Sequence, residues 1–143
     1  MPNKRVTSSP IALQLHLTRK CNLNCYYCGA DEFRKKEKEQ ELNTKEWVNL
    51  LERLKEIQVF DVAFSGGEIF LRKDIFEILE TAIKCKFPKM RLTTNGTLIS
   101  DAVAKRLKSL NFKNIGISLD GNKETHEQIR GAGSFTKTIE GIS

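Results

Sequence analysis

Cys21, Cys25 and Cys28 stand in the stretch CNLNCYYC, at spacings of four and three residues. Thiolates placed this closely can share a metal ion or an iron-sulfur cluster. A site that holds metal for structure usually closes its coordination sphere with four protein ligands, whereas a catalytic site keeps a position open. Three neighbouring cysteines therefore point to a site with room for a further donor. A zinc site is the competing reading, with His16, His126 or Cys85 as the fourth ligand. Cys85 reads equally as a small buried side chain ending an amphipathic helix, and His16 as a satisfied polar residue on a strand. Three of the four cysteines fall in one short stretch, which does not resemble a disulfide framework. It reads better as a set of metal-binding thiols in a reducing, cytoplasmic compartment.

Three more motifs bring polar groups together: SGGE at residues 65–68, TTNG at 93–96 and SLDG at 118–121. Each can be a simple turn, since glycine, asparagine and aspartate are common turn formers. Each also follows a predicted strand, and the carboxyl ends of parallel strands are where such folds build ligand sites. Gly66 and Gly67 allow the backbone to approach a ligand closely. Thr94, Asn95, Ser118 and Asp120 supply hydrogen-bonding groups at the same end. Arg72 and Arg130 have the chemistry to clamp a carboxylate or phosphate, but an arginine beside a helix start or in a glycine-rich loop is more often a surface residue.

The elements that must position these groups alternate along the chain. Residues 44–57 place Trp47, Leu50, Leu51, Leu54 and Ile57 on one helical face, and Asn43 with Glu46 has capping-box spacing. Further helices are predicted at 75–85 and 101–110, and strands at 11–17, 59–64, 90–94 and 114–119. Strands alternating with amphipathic helices argue for right-handed crossovers and a parallel sheet, an α/β fold. Each strand sets an apolar face against a small or polar one, for example Leu13, Leu15 and Leu17 against Gln14 and His16. Parallel strands covered on both faces should be apolar throughout. A barrel interior holding a polar ligand explains the polar face; so does a sheet with one solvated side.

The chain has 143 residues, enough for one domain with a real core, and a net charge of +6. Residues 31–41, DEFRKKEKEQE, mix both signs and read as a mobile solvated loop. No basic and aromatic interleaving points to nucleic acid, and no segment reads as a signal peptide or membrane span. The positive excess is compatible with an anionic cofactor or substrate.

With Tyr27 before its last cysteine, CNLNCYYC resembles the CxxxCxxC signature of the radical S-adenosylmethionine superfamily. SGGE resembles its glycine-glycine-glutamate motif, and TTNG and SLDG resemble the segments ending its third and fourth strands. The resemblance runs from about residue 11 to the end of the chain. It implies a 4Fe-4S cluster held by Cys21, Cys25 and Cys28, with the amino and carboxylate groups of S-adenosylmethionine on the remaining iron. It implies that Glu68 accepts hydrogen bonds from the methionyl ammonium group. Gly66, Gly67, Thr94, Asn95, Ser118 and Asp120 would join it in binding the cofactor, with Tyr27 near the adenine or shielding the cluster. Substituting Glu68 or Gly67 is then expected to weaken cofactor binding with the cluster intact. Ile69 stands where the family usually has proline.

The implied activity is reductive cleavage of S-adenosylmethionine to methionine and a 5′-deoxyadenosyl radical, which abstracts hydrogen from a substrate. The implied electron source is an external donor of flavodoxin or ferredoxin type. The tail from Thr125 to Ile142, THEQIRGAGSFTKTIEGI, resembles peptide-modifying and sulfatase-maturating enzymes of the SPASM type, which implies a peptide or protein substrate. SGGEIFLRKD also resembles the cyclic-pyranopterin synthase type, and a non-catalytic iron-sulfur or electron-transfer module is a further alternative. The family's core is a partial (β/α) TIM-like barrel of six strand-helix units, of which this chain supplies about four. Residues 1–10 read as a tail and 11–143 as the truncated N-terminal portion of that core. The unpaired edge of its fourth strand is expected to promote self-association.

Overall fold

The structure, a computed structural model, describes residues 9–29 and 40–143. Strands β1 (Ala12–His16), β2 (Asp61–Ser65), β3 (Lys89–Thr94) and β4 (Ile115–Ile117) form one parallel sheet in chain order. Helices α1 (Thr44–Glu56), α2 (Ile75–Cys85) and α3 (Asp101–Ser109) cross between them, and α4 (Lys123–Arg130) and α5 (Ser134–Ile142) follow β4. With no reversal of strand order, crossovers of one hand put the connecting helices on one face. A sheet wound in this way is a segment of barrel wall, with the other face left for contents. The α/β partial barrel expected from the sequence is the fold adopted.

The covered face carries Leu15, Val62, Phe64 and Leu92, which pack against Leu51 and Leu54 of α1, Ile78, Leu79 and Ala82 of α2, and Leu107 of α3. Full burial of each such side chain contributes roughly 1.5–3 kcal/mol, so this one-sided core secures the sheet. Strand register aligns Gln14, Ala63 and Arg91 across the open face, with Thr93 beside Gly116 one row nearer the carboxyl ends. Local chemistry starts and stops the helices. In α1, Asn43 Oδ1 accepts from the Glu46 amide and Glu46 Oε2 accepts from the Asn43 amide, the predicted capping box. At the end of α2, Lys86 turns left-handed at φ 57°.

Several expectations needed correction. Ile11 and Phe60, which the strand alternation groups with the apolar faces, are 61% and 52% exposed and stand one residue before β1 and β2 begin. Helix α4 was not anticipated; its sign in the sequence was Asn122, whose side chain accepts from the Thr125 amide. Cys85 is buried on the helix-covered side, as the small-side-chain reading had it. The loop expected at 31–41 lies outside the described residues except for Gln40 and Glu41. Among the described residues no helix is long and apolar enough to cross a membrane.

Arg72 is not a surface residue, its side chain being only 9% exposed. It donates through Nη1 to the Leu17 carbonyl at 2.8 Å and through Nε and Nη2 to the Asp74 carboxylate at 2.9 and 2.6 Å, joining the end of β1 to the start of α2. Burial alone would raise the Asp74 carboxyl, but hydrogen bonds from Arg72 and Thr44 outweigh it and hold the group below its ordinary value of 3.8. A carboxyl lowered on folding stabilises above its unfolded pKa and loses that contribution as pH falls through the folded value. Wild type should therefore exceed Asp74→Asn in stability by roughly 1–3 kcal/mol at pH 7, a difference that persists to about pH 4 and shrinks below it. Urea melts of the two proteins between pH 7 and 2.5 check this.

Candidate functional site

At the carboxyl ends of the strands lies a cavity of about 440 Å³. Cys21, Cys25 and Cys28 line it together with Tyr27, Gly66, Gly67, Thr94, Asn95 and Ser118. Segments far apart in sequence, identified from their residue types, thus meet at one place. Glu68 and Asp120, also expected to touch a ligand, do not line the cavity. The Glu68 side chain is completely buried and accepts from the Phe70 amide (3.2 Å), the Thr94 hydroxyl (2.8 Å) and the Asn95 amide (2.8 Å). Its carboxylate ties the exit of β2 to the end of β3. The carboxylate of Asp120 holds Nε of Arg130 in an ion pair.

Gln14, His16 and Arg130 also line the cavity. For Gln14 and His16 the signal was their place on the polar strand face; for Arg130 it was only the tail motif, which did not separate it from a surface arginine. Its side chain is 17% exposed, and Asp120 holds it at the cavity wall.

The cysteine loop is held by main-chain contacts at its entry. The Gly67 and Glu68 amides donate to the carbonyls of Thr18 and Lys20, both at 2.7 Å. A Cβ on Gly67 would lie 2.2 Å from the Lys20 carbonyl oxygen, and one on Gly66 would lie 2.5 Å from that of Thr18. The glycine pair is thus required first by the loop that delivers Cys21, besides whatever lies in the cavity. Glu41 holds the same segment from outside, accepting from the Thr18 hydroxyl (2.9 Å) and the Arg19 amide (2.7 Å). Further along, Asn22 Oδ1 accepts from Asn95 Nδ2 at 2.9 Å, and the Tyr26 amide donates to the Ile129 carbonyl of α4 at 2.9 Å.

All three cysteines are free and partly exposed, the donor set that an iron-sulfur cluster requires. Burial pushes the Cys25 thiol up; the Arg130 guanidinium pulls it down, and neighbouring Cys21 and Cys28 push it up again. Among the described residues no three candidate ligands form a single-ion metal site, and ligation by the thiols would release their protons. Of the proposed fourth zinc ligands, Cys85 lies in the helix-covered core and His126 is buried with Nδ1 already engaged, whereas His16 does line the cavity.

A one-sided parallel sheet with a thiol-bearing loop and glycine turns at its carboxyl ends defines a barrel-type protein with a metal-cofactor site. The sequence profile of the Radical SAM superfamily matches residues 15–143, and the chain belongs to that superfamily. Its enzymes use a 4Fe-4S cluster and S-adenosylmethionine. The chain is 38% identical to Fe-coproporphyrin III synthase of Methanosarcina barkeri, over 89% of its own length and 32% of that protein. It is 33% identical to the mycofactocin maturase MftC of Mycolicibacterium smegmatis, over 97% of its length and 35% of the maturase. The fold matches that of Streptococcus suis SuiB bound to S-adenosylmethionine with a TM-score of 0.69 and 25% identity, over 85% of this chain and 26% of SuiB. The chain thus spans about a third of the length of these curated relatives.

The geometry changes the expected outcome at Gly67. Because a side chain there collides with the backbone before Cys21, Gly67→Ala should lower the iron and sulfide retained after anaerobic reconstitution several-fold, together with a stability loss of about 1–3 kcal/mol. Iron and acid-labile sulfide analysis beside a thermal melt checks it. An intact cluster complement would show that the loop moves aside without losing its ligands.

Proposed function

We propose that residues 11–143 are the N-terminal portion of the core of a radical S-adenosylmethionine enzyme that modifies a peptide or protein. The observation carrying this reading is the convergence of Cys21, Cys25 and Cys28 with the Gly66-Gly67 backbone, Ser118 and Arg130 on one cavity. In this reading Cys21, Cys25 and Cys28 hold a 4Fe-4S cluster. When bound, the cluster and S-adenosylmethionine supply reductive carbon-sulfur cleavage and a 5′-deoxyadenosyl radical.

The chain's own residues bind and orient. The Arg130 guanidinium offers a fixed positive charge to the carboxylate of the methionyl end, and the Ser118 hydroxyl a hydrogen bond beside it. Thr94 and Asn95 shape the third strand's contribution, and Glu68 keeps them in place from behind. Tyr27, 61% exposed at the rim, covers the site with an aromatic ring. The reductant is an external donor of flavodoxin or ferredoxin type, in a reducing cytoplasm that keeps the thiols free. The maturase likeness and the tail motif favour a peptide substrate.

Electron paramagnetic resonance of the anaerobically reconstituted, dithionite-reduced chain, with and without S-adenosylmethionine, tests the assignment. The expected result is a reduced 4Fe-4S signal that shifts when the cofactor is added. A cluster signal indifferent to the cofactor would favour an electron-transfer module, and zinc without sulfide a structural metal site. The edge of β4 pairs only with β3 among the described strands, which supports self-association of the isolated chain. Light scattering should detect species larger than a monomer; a monodisperse monomer with a cooperative melt would overturn that expectation.

A further inference from the structure

Helix α4 is short and its face toward the protein carries one buried residue, His126. That side chain is 0% exposed. Its Nδ1 accepts a hydrogen bond from the Asp120 amide at 3.2 Å, while Nε2 is buried without a partner among the described residues. The ring meets Phe135 of α5 edge to face, with centroids 5.6 Å apart. An imidazole that accepts at Nδ1 carries its proton on Nε2 and is neutral, since the charged ring has no acceptor. Burial favours that neutral state, as does neighbouring Arg130, against the opposing pull of Asp120 and Glu127.

A buried imidazole with an orphaned N–H is a poor choice if the position needs only bulk, because an apolar side chain would fill it without stranding a donor. What the imidazole adds is the acceptor for Asp120. His126 and Arg130 stand four residues apart on α4 and so share one face of the helix. Asp120 is gripped there twice: its amide by His126 and its carboxylate by Arg130. Arg130, in turn, lines the cavity.

We infer that His126 is a positioning residue: it anchors the main chain at Asp120, so that the Asp120 carboxylate holds the Arg130 guanidinium toward the cavity. The inference rests on the proposed function, in which that guanidinium meets the carboxylate of S-adenosylmethionine. It makes His126 matter for one end of the cofactor only.

The test compares the cluster-reconstituted wild type with His126→Phe, which fills the space without an acceptor, and His126→Asn, whose Oδ1 can accept near the position of Nδ1. Calorimetry gives Kd for S-adenosylmethionine and for 5′-deoxyadenosine, which has no amino-acid end. His126→Phe should weaken S-adenosylmethionine binding about tenfold, the effect of one lost hydrogen bond, and leave 5′-deoxyadenosine binding and iron content unchanged. His126→Asn should restore most of the loss. Equal weakening for both ligands, no weakening at all, or no rescue by Asn would overturn the inference. If the Phe variant does not fold, His126→Met, flexible enough to fill the gap and lacking a comparable acceptor, replaces it.

A second readout separates this inference from the reading beneath it. In nitrogen-15 spectra the Arg130 Nε–H resonance, ion-paired in wild type and His126→Asn, should move in His126→Phe. Wild type that takes up the cluster but binds no S-adenosylmethionine would overturn the cavity assignment alone, and His126 would then be judged by that resonance. An unmoved resonance would overturn the positioning role.

Discussion

The loop carrying Cys21, Cys25 and Cys28 reaches the cavity because residues 18–20 run against the turn after β2 at main-chain distance. Two short hydrogen bonds, from the Gly67 and Glu68 amides to the Thr18 and Lys20 carbonyls, set that approach. They can form only where position 67 has no Cβ, since one would fall 2.2 Å from a carbonyl oxygen. Backbone placed in this way is less variable than side chains placed by rotamers, which suits a loop that brings three thiols to one cavity. Arg72 and Glu41 reinforce the entry from the helix side, by bonds to Leu17, Thr18 and Arg19.

Polar groups at the carboxyl ends of the strands are arranged in two ranks. Those of the cavity wall include Ser118, Arg130 and the glycine backbone; behind them Glu68, Asp120 and His126 hold the wall in place. Glu68 is the clearest case, because a fully buried carboxylate must have its lone pairs satisfied, and three protein donors do so. Its burial joins two strand ends that would otherwise be connected only through the sheet. Helix α5 closes the same corner: Thr138 donates to the Asn95 carbonyl at 3.0 Å, and Gly141 packs where a Cβ would strike the Gly96 oxygen.

The open face of the sheet complements this arrangement. Helices cover one side only, so the other side retains Gln14, Arg91 and Thr93 in a second hollow of about 740 Å³ toward the amino ends of the strands. Gln14 and Thr93 border both hollows, which therefore adjoin.

Much of this was legible in the residues themselves. The strand and helix periodicities, the capping box at Asn43, the cysteine spacing and the turn motifs are local properties, and local properties are written in consecutive residues. They determined the α/β alternation, the cysteine triplet and which strand ends bear polar groups. The roles of Glu68, Asp120, Arg72, Arg130 and His126 were not legible, because a charged or polar side chain looks the same in sequence whether it meets a ligand or another residue. Only the tertiary structure decided that Glu68 turns inward and that Arg130 reaches the cavity while Asp120 stays behind it. Those outcomes depend on donors and carboxylates brought together from distant segments, and on burial that leaves each of them one set of partners.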